Sequence, residues 1–192
     1  GIAEETIVFF MSDNGGLSSV TSNAPLREGK GHIYEGGIRE PLIVCWPGVV
    51  RPGSECSVPV SSVDFYPTIL QMAGVDDDAP RNAPLDGVSL VPLLREEGNL
   101  HRDALFWHYP HYSPQRGVPA AAIRQGDFKL IEFFEDGHLE LYNLADDIGE
   151  QNNLAEEMPE KAKAMHARLL QWRKAVDAPM PRENPKYEGE EK

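Results

Sequence analysis

Short apolar runs alternate with amphipathic patterns along the chain. The first run, Thr6 to Met11 (TIVFFM), has no hydrophilic residue to mark a wet face. It therefore predicts a short strand covered on both sides, as in a parallel sheet packed by helices. A second run, Leu42 to Trp46, is stopped by Pro47-Gly48 and predicts a second buried strand. Val63, Tyr66, Ile69, Leu70 and Ala73 then recur at a period of about 3.6 residues, which predicts a core-facing helix over Asp64 to Ala73. Ser61 or Ser62 can cap it, Pro67 is tolerated in its first turn, and Gly74 ends it. Asp64 reads as part of that cap. Asp76 to Pro84 is polar and proline-rich and reads as a solvated loop, while Leu85 to Leu94 reads as a structural connector.

Further on, Ala104 to Tyr109, Ala120 to Arg124, Phe128 to Phe133 and Leu139 to Tyr142 are short segments separated by turn signals such as Gln125-Gly126-Asp127. They predict a small antiparallel sheet. Pro159 suits a first helical position, and Ala162, Met165, Leu169, Trp172 and Val176 follow at steps of three and four. A closing helix over Pro159 to Val176 should pack on that sheet. The fold class is α/β. Residues 1–100 read as the strands and helix of a helix-packed sheet, 101–178 as the small sheet with its helix, and 179–192 as an irregular acidic tail.

Composition narrows the partners. The chain has 192 residues and a formal net charge of -13, with no basic stripe to offset it, which argues against nucleic acid. No segment is long and apolar enough to span a bilayer. The acids gather late, from Glu132 to Glu160, whereas Lys30 and Arg39 lie early. With a divalent cation, those two could reverse the acidic field over a few ångströms, inside one Debye length of about 8 Å.

Candidate chemistry sits where the first strand opens into a loop. Ser12-Asp13-Asn14-Gly15-Gly16 brings two oxygen-bearing side chains to a strand end, where ligands collect in open α/β sheets. Asp13 and Asn14 offer hard oxygens without sulfur or imidazole, so Ca²⁺ or Mg²⁺ suits them better than Zn²⁺. Lys30 stands between Gly29 and Gly31 with little side-chain cover, as suits a cation meeting an anion. Glu35 and Arg39 read as an ion pair bracing the Gly36-Gly37 turn. His108, in the run of polar aromatics His-Tyr-Pro-His-Tyr, and His32, beside the lysine loop, stand out among the histidines. Cys45 lies in an apolar run and predicts a buried free thiol. The adjacent Asp76-Asp77-Asp78 lack the spacing of a calcium loop.

SDNGG, NAPLREGKG, YEGGIREP and IVCWPG, in that order and spacing, resemble the second half of the catalytic domain of type I sulfatases, the arylsulfatase family of the alkaline phosphatase superfamily. The likeness continues through DFYPTILQMAG, LDGVSLVPLL, AIRQGDFKLI and LYNLADDIGEQNNLA, from Thr6 to Val176. It implies an alkaline-phosphatase-like sheet and hydrolysis of sulfate esters of aryl or carbohydrate alcohols in a periplasmic or secreted setting. It also implies Asp13 and Asn14 as Ca²⁺ ligands, Lys30 as the lysine on the sulfate ester, and His108 or His111 at the substrate pocket, with His32 beside the lysine loop a comparable candidate. The formylglycine nucleophile would lie in an N-terminal part outside this chain. Cys45-Trp46-Pro47 matches only the start of the C-x-P-S/A-x-R signal, without its serine or arginine, and is rejected as that nucleophile. A phosphodiesterase or phosphonate monoester hydrolase of the same superfamily, or a non-catalytic glycan-binding module, are the alternatives.

Overall fold

The computed structural model describes residues 1–75 and 85–182, so the predicted Asp76 to Pro84 loop and most of the acidic tail lie outside the described residues. The chain divides into two units. One holds residues 1–12 and 41–103, the other residues 13–40 and 104 onward.

In the first unit β1 (Val8–Met11) pairs antiparallel with β2 (Leu42–Cys45), Val8 opposite Cys45 and Met11 opposite Leu42. Phe9 packs on the ring of Phe65 at 5.4 Å. The alternate side chains face outward: Phe10 is 65% exposed and Ile43 59%. The predicted cover on both faces, and the parallel pairing that went with it, are thus not found in this unit. Side chains of a strand point alternately to its two faces, and the described part of the unit buries only one of them. Cys45 falls on the outward face and is exposed, contrary to the expectation of a buried thiol, though it is a free cysteine as expected.

In chain order the one-turn helix α1 (Glu35–Ile38) comes first, and the predicted helix exists as α2 (Phe65–Met72), entered through a tight turn at Ser62–Asp64. The Ser61 N–H donates to Asp64 Oδ2 at 2.8 Å, completing a capping box. Its inward face is not the apolar stripe, because Tyr66 and Ile69 are more than half exposed while Asp64, Pro67 and Thr68 are buried. The polar groups explain the choice. Asp64 Oδ1 accepts from Arg102 Nη1 at 2.6 Å and from the Val88 N–H at 3.0 Å, and Thr68 Oγ1 accepts the Leu90 N–H at 2.8 Å. Buried polar groups must be satisfied, so the face that meets these partners turns inward, next to α3 (Val91–Leu94).

In the second unit β3 (Leu105–Tyr109), β4 (Ala120–Gln125), β5 (Phe128–Phe133) and β6 (Leu139–Asn143) form an antiparallel meander in sequence order. Gln125 pairs with Phe128 across the predicted turn, where Gly126 adopts a φ of 59°. One face of the sheet presents Ala121, Ile123, Leu130 and Leu141 to Ala162, Met165 and Leu169 of α4 (Pro159–Ala175). Trp172 stacks on Phe106 at 4.8 Å. The other face, with Ala120, Ala122, Ile131 and Phe133, packs against Ile33 and Tyr34. That second layer is why the segment from Asp13 to Glu40 belongs to this unit. No described helix is long and apolar enough to cross a membrane.

An ion cluster ties that segment to the sheet. Lys129 of β5 is fully buried, with Nζ 3.0 Å from Glu35 Oε1 and 2.8 Å from Glu150 Oε1. Glu150 Oε2 accepts the Glu35 N–H at 2.6 Å. Glu35 Oε2 also faces Arg39 at 3.4 Å, the ion pair expected from sequence, and Arg124 at 3.8 Å. Burial pushes the Glu150 carboxyl above its usual range, and the Lys129 ammonium opposes that shift. Removing one partner from a buried ion pair leaves an uncompensated charge. Lys129→Met is therefore expected to destabilise this unit by about 3–5 kcal/mol, read from urea or thermal unfolding. Leu169→Ala, which opens a cavity beneath α4, is expected to cost about 2–5 kcal/mol by the same measurement.

Candidate functional site

Four of the predicted site residues, Asp13, Asn14, Lys30 and His32, sit on two loops that share backbone hydrogen bonds. After the Asp13-Asn14 turn the Gly15 N–H donates to Gly37 O at 3.0 Å, and the Lys30 N–H donates to Gly16 O at 3.1 Å. The Gly36 N–H returns to Arg27 O at 2.9 Å. A side chain at Gly15 would drive into the carbonyl of Gly36, and one at Gly36 into the carbonyls of Arg27 and Glu28. Glycine is needed at these positions so that three stretches of backbone can lie against each other.

This framework fixes the backbone from which the chemistry-bearing side chains project. Asp13 is exposed, Asn14 half-buried and Lys30 exposed. Burial, and after it the nearby Asp13 carboxylate, push the Glu40 carboxyl above its usual range. The Asp13 end of the framework therefore concentrates negative charge and hard oxygens, an environment that a divalent cation relieves. The donor set fits Ca²⁺ or Mg²⁺ but is incomplete for Ca²⁺, since two donors fall short of the six to eight oxygens it takes. No cluster of three or more His, Cys, Asp or Glu that could hold a metal occurs among the described residues.

His32 belongs to the same framework: its N–H donates to Gly29 O at 3.1 Å, while its Nε2 lies 2.9 Å from Gln115 O and 3.6 Å from Glu28 Oε2. His108 does not. It lies on β3 opposite Ala121, on the face that α4 covers, with Nε2 2.8 Å from Pro179 O and its ring tilted against Phe134 at 5.5 Å. Asp13, Asn14, Lys30 and His32 are thus brought together by shared loops, and His108 is directed elsewhere.

Several residues that hold these loops escaped the sequence reading. Arg27 Nη1 donates to Tyr142 Oη at 3.0 Å and to Glu150 O at 2.8 Å, and its guanidinium lies 3.8 Å from the centre of the Tyr34 ring. Tyr34 and Tyr142 both donate to Glu140 Oε2, at 2.7 and 2.9 Å. Burial raises both phenols well above their ordinary range, so they remain neutral donors. The available signals were Lys129, a lone cation amid the apolar residues of β5, and Glu150 in the polar stretch after β6. A shallow depression of about 410 Å³ beside Arg27 and Glu150 includes none of the predicted site residues.

Residues 29–175 match the family model of N-sulphoglucosamine sulphohydrolase, C-terminal. A sulfatase of Formosa agariphila is 43% identical over 93% of this chain and 35% of its own length. Human arylsulfatase A is 41% identical over 76% of this chain and 28% of its own. Among solved structures, Ps i-CgsB in complex with k-i-k-neocarrahexaose superposes with a TM-score of 0.76 at 32% identity, covering 88% of this chain and 37% of that one. The phosphonate monoester hydrolase SpPMH of Silicibacter pomeroyi gives 0.68 at 25% identity, covering 90% and 35%. The chain thus spans about a third of the length of the proteins it matches, and it belongs to the sulfatase family, of which it represents the C-terminal portion.

Proposed function

We propose that this chain carries the late half of a sulfatase active site, and that it acts within a longer polypeptide to hydrolyse sulfate esters of carbohydrate or aryl alcohols. The observation that supports this most is the Lys30 N–H bond to Gly16 O. It fixes the lysine loop on the turn that bears Asp13 and Asn14, so a cation site and an anion clamp share one backbone framework.

Each residue has a definable task. Asp13 and Asn14 would contribute oxygen ligands to a Ca²⁺ ion, whose charge offsets that of the bound sulfate. The nucleophile, a formylglycine hydrate, would come from the preceding part of the polypeptide. Lys30 would meet the ester itself, neutralising negative charge as the S–O bond breaks and the alcohol oxygen leaves. His32, its Nε2 held by Gln115, would border the leaving group from the same loop. The neocarrahexaose bound by Ps i-CgsB and the arylsulfatase relatives support carbohydrate and aryl esters as the substrate class.

Losing one preorganised charge contact of this kind costs about 10²–10³-fold in rate. Lys30→Ala in the complete polypeptide is expected to lower kcat/KM for an aryl sulfate by that factor. Matched nitrophenyl sulfate and phosphonate esters, assayed with both proteins, decide between the sulfatase and phosphonate hydrolase readings. Undiminished sulfate turnover in Lys30→Ala would remove the clamp role. The isolated 192-residue chain is expected to bind Ca²⁺ weakly by calorimetry, to lose that binding in Asp13→Ala, and to turn over no aryl sulfate. Hydrolysis by the isolated chain would contradict the division of the site.

A further inference from the structure

We propose that Asn23 is a positioning residue that sets the location of Lys30 relative to the Asp13-Asn14 turn; this rests on the clamp role proposed above. The Asn23 side-chain amide is the point where the two loops meet. Its Oδ1 accepts the Gly16 N–H at 3.0 Å, and its Nδ2 donates to Gly16 O at 2.9 Å and to Glu28 O at 3.0 Å. The orientation of the amide follows from its partners, because one N–H needs an acceptor and two carbonyls need a donor. Gly16 O is also the acceptor for the Lys30 N–H. One side chain therefore grips a residue two positions after Asn14 and a residue two positions before Lys30.

The surrounding sequence is shaped to admit this amide. A side chain at Gly16 would come within 2.8 Å of Asn23 Oδ1, and one at Gly29 would meet Asn23 Nδ2 and Gly16 O. Both positions are glycine. Glu28 adopts a φ of 58°, a left-handed conformation that a residue with a side chain enters only at a cost. The Asn23 bond to Glu28 O holds that kink, which turns the chain from Arg27 toward Lys30. No other side-chain type provides this set of bonds at this length. Aspartate cannot donate, alanine reaches neither loop, and glutamine adds a methylene where the amide already lies against backbone.

Transition-state contacts are sensitive to such placement, and an error of about 1 Å can cost about 10²-fold. Because the long lysine side chain absorbs part of any backbone shift, Asn23→Ala in the complete polypeptide is expected to lower kcat about 10- to 100-fold, with a smaller change in KM. The pattern of the loss identifies the mechanism. With a series of aryl sulfates, Asn23→Ala should lose most on phenols of high pKa, as Lys30→Ala does, because charge on the leaving oxygen is then neutralised less well. In a double-mutant cycle, adding Asn23→Ala to Lys30→Ala should cost little further. Asn23→Asp keeps the shape and the Gly16 N–H bond while deleting both donated bonds, and it should reproduce the pattern if the alanine variant fails to fold by circular dichroism. A loss equal across leaving groups, full additivity with Lys30→Ala, or wild-type kinetics in Asn23→Asp would overturn the inference. A Lys30→Ala protein of undiminished activity would instead refute the clamp role on which it rests.

Discussion

The second unit depends on one buried ammonium. Lys129 has no access to solvent, and its charge is balanced by Glu35 from the glycine turn and Glu150 from the segment after β6. The three groups come from stretches far apart in sequence, and each must arrive before the others can be buried without penalty. Desolvation consumes much of the attraction in such a cluster, so its effect on geometry matters more here than its net stabilisation. By accepting the Glu35 N–H, Glu150 also fixes the backbone where the glycine turn begins. Gly37 O then receives the Gly15 N–H, and the position of the proposed metal-binding turn follows from a charge buried against the sheet.

The sheet was legible because its signals are local. The short segments that became β4 and β5, the Gln125-Gly126-Asp127 turn between them and the stripe on α4 each specify structure within a few residues, and all four strands appear where the pattern puts them. Glu35 with Arg39, and Asp64 as a cap, were readable for the same reason, being contacts within four positions in sequence. Contacts over about a hundred residues left no comparable trace. Nothing in the periodicity of Phe128-Lys129-Leu130-Ile131 indicates that the inward lysine meets Glu35, and nothing near Arg27 announces Tyr142.

The first unit shows a second limit. Hydrophobic period identifies an apolar face but not what lies over it. Phe10 and Ile43, on the outward face of β1 and β2, are apolar and exposed, and so are Tyr66 and Ile69 on α2. The expectation of two covered faces took apolar composition as evidence of cover, when it is evidence only that cover would be favourable. On α2 the burial of Asp64 and Thr68 settles the matter differently, since an unsatisfied buried polar group costs more than an exposed tyrosine or isoleucine.

The glycines next to the candidate site show how its two loops can interlock. A glycine after a strand-end Asp-Asn pair reads naturally as room for a ligand, yet the space that Gly15 leaves is filled by the carbonyl of Gly36, and that of Gly36 by Arg27 and Glu28. The room serves backbone rather than substrate. This changes how accuracy at the site arises. Peptide groups joined by hydrogen bonds of about 3 Å have few ways to rearrange, whereas long side chains on an open loop have many. Asp13 and Lys30, both exposed, can therefore be held in a defined relation without being packed themselves, because the atoms that fix them lie one layer beneath. A charged group proposed to meet a charged ester needs access to solvent and a rigid base at once, and interlocked glycine loops are suited to provide both.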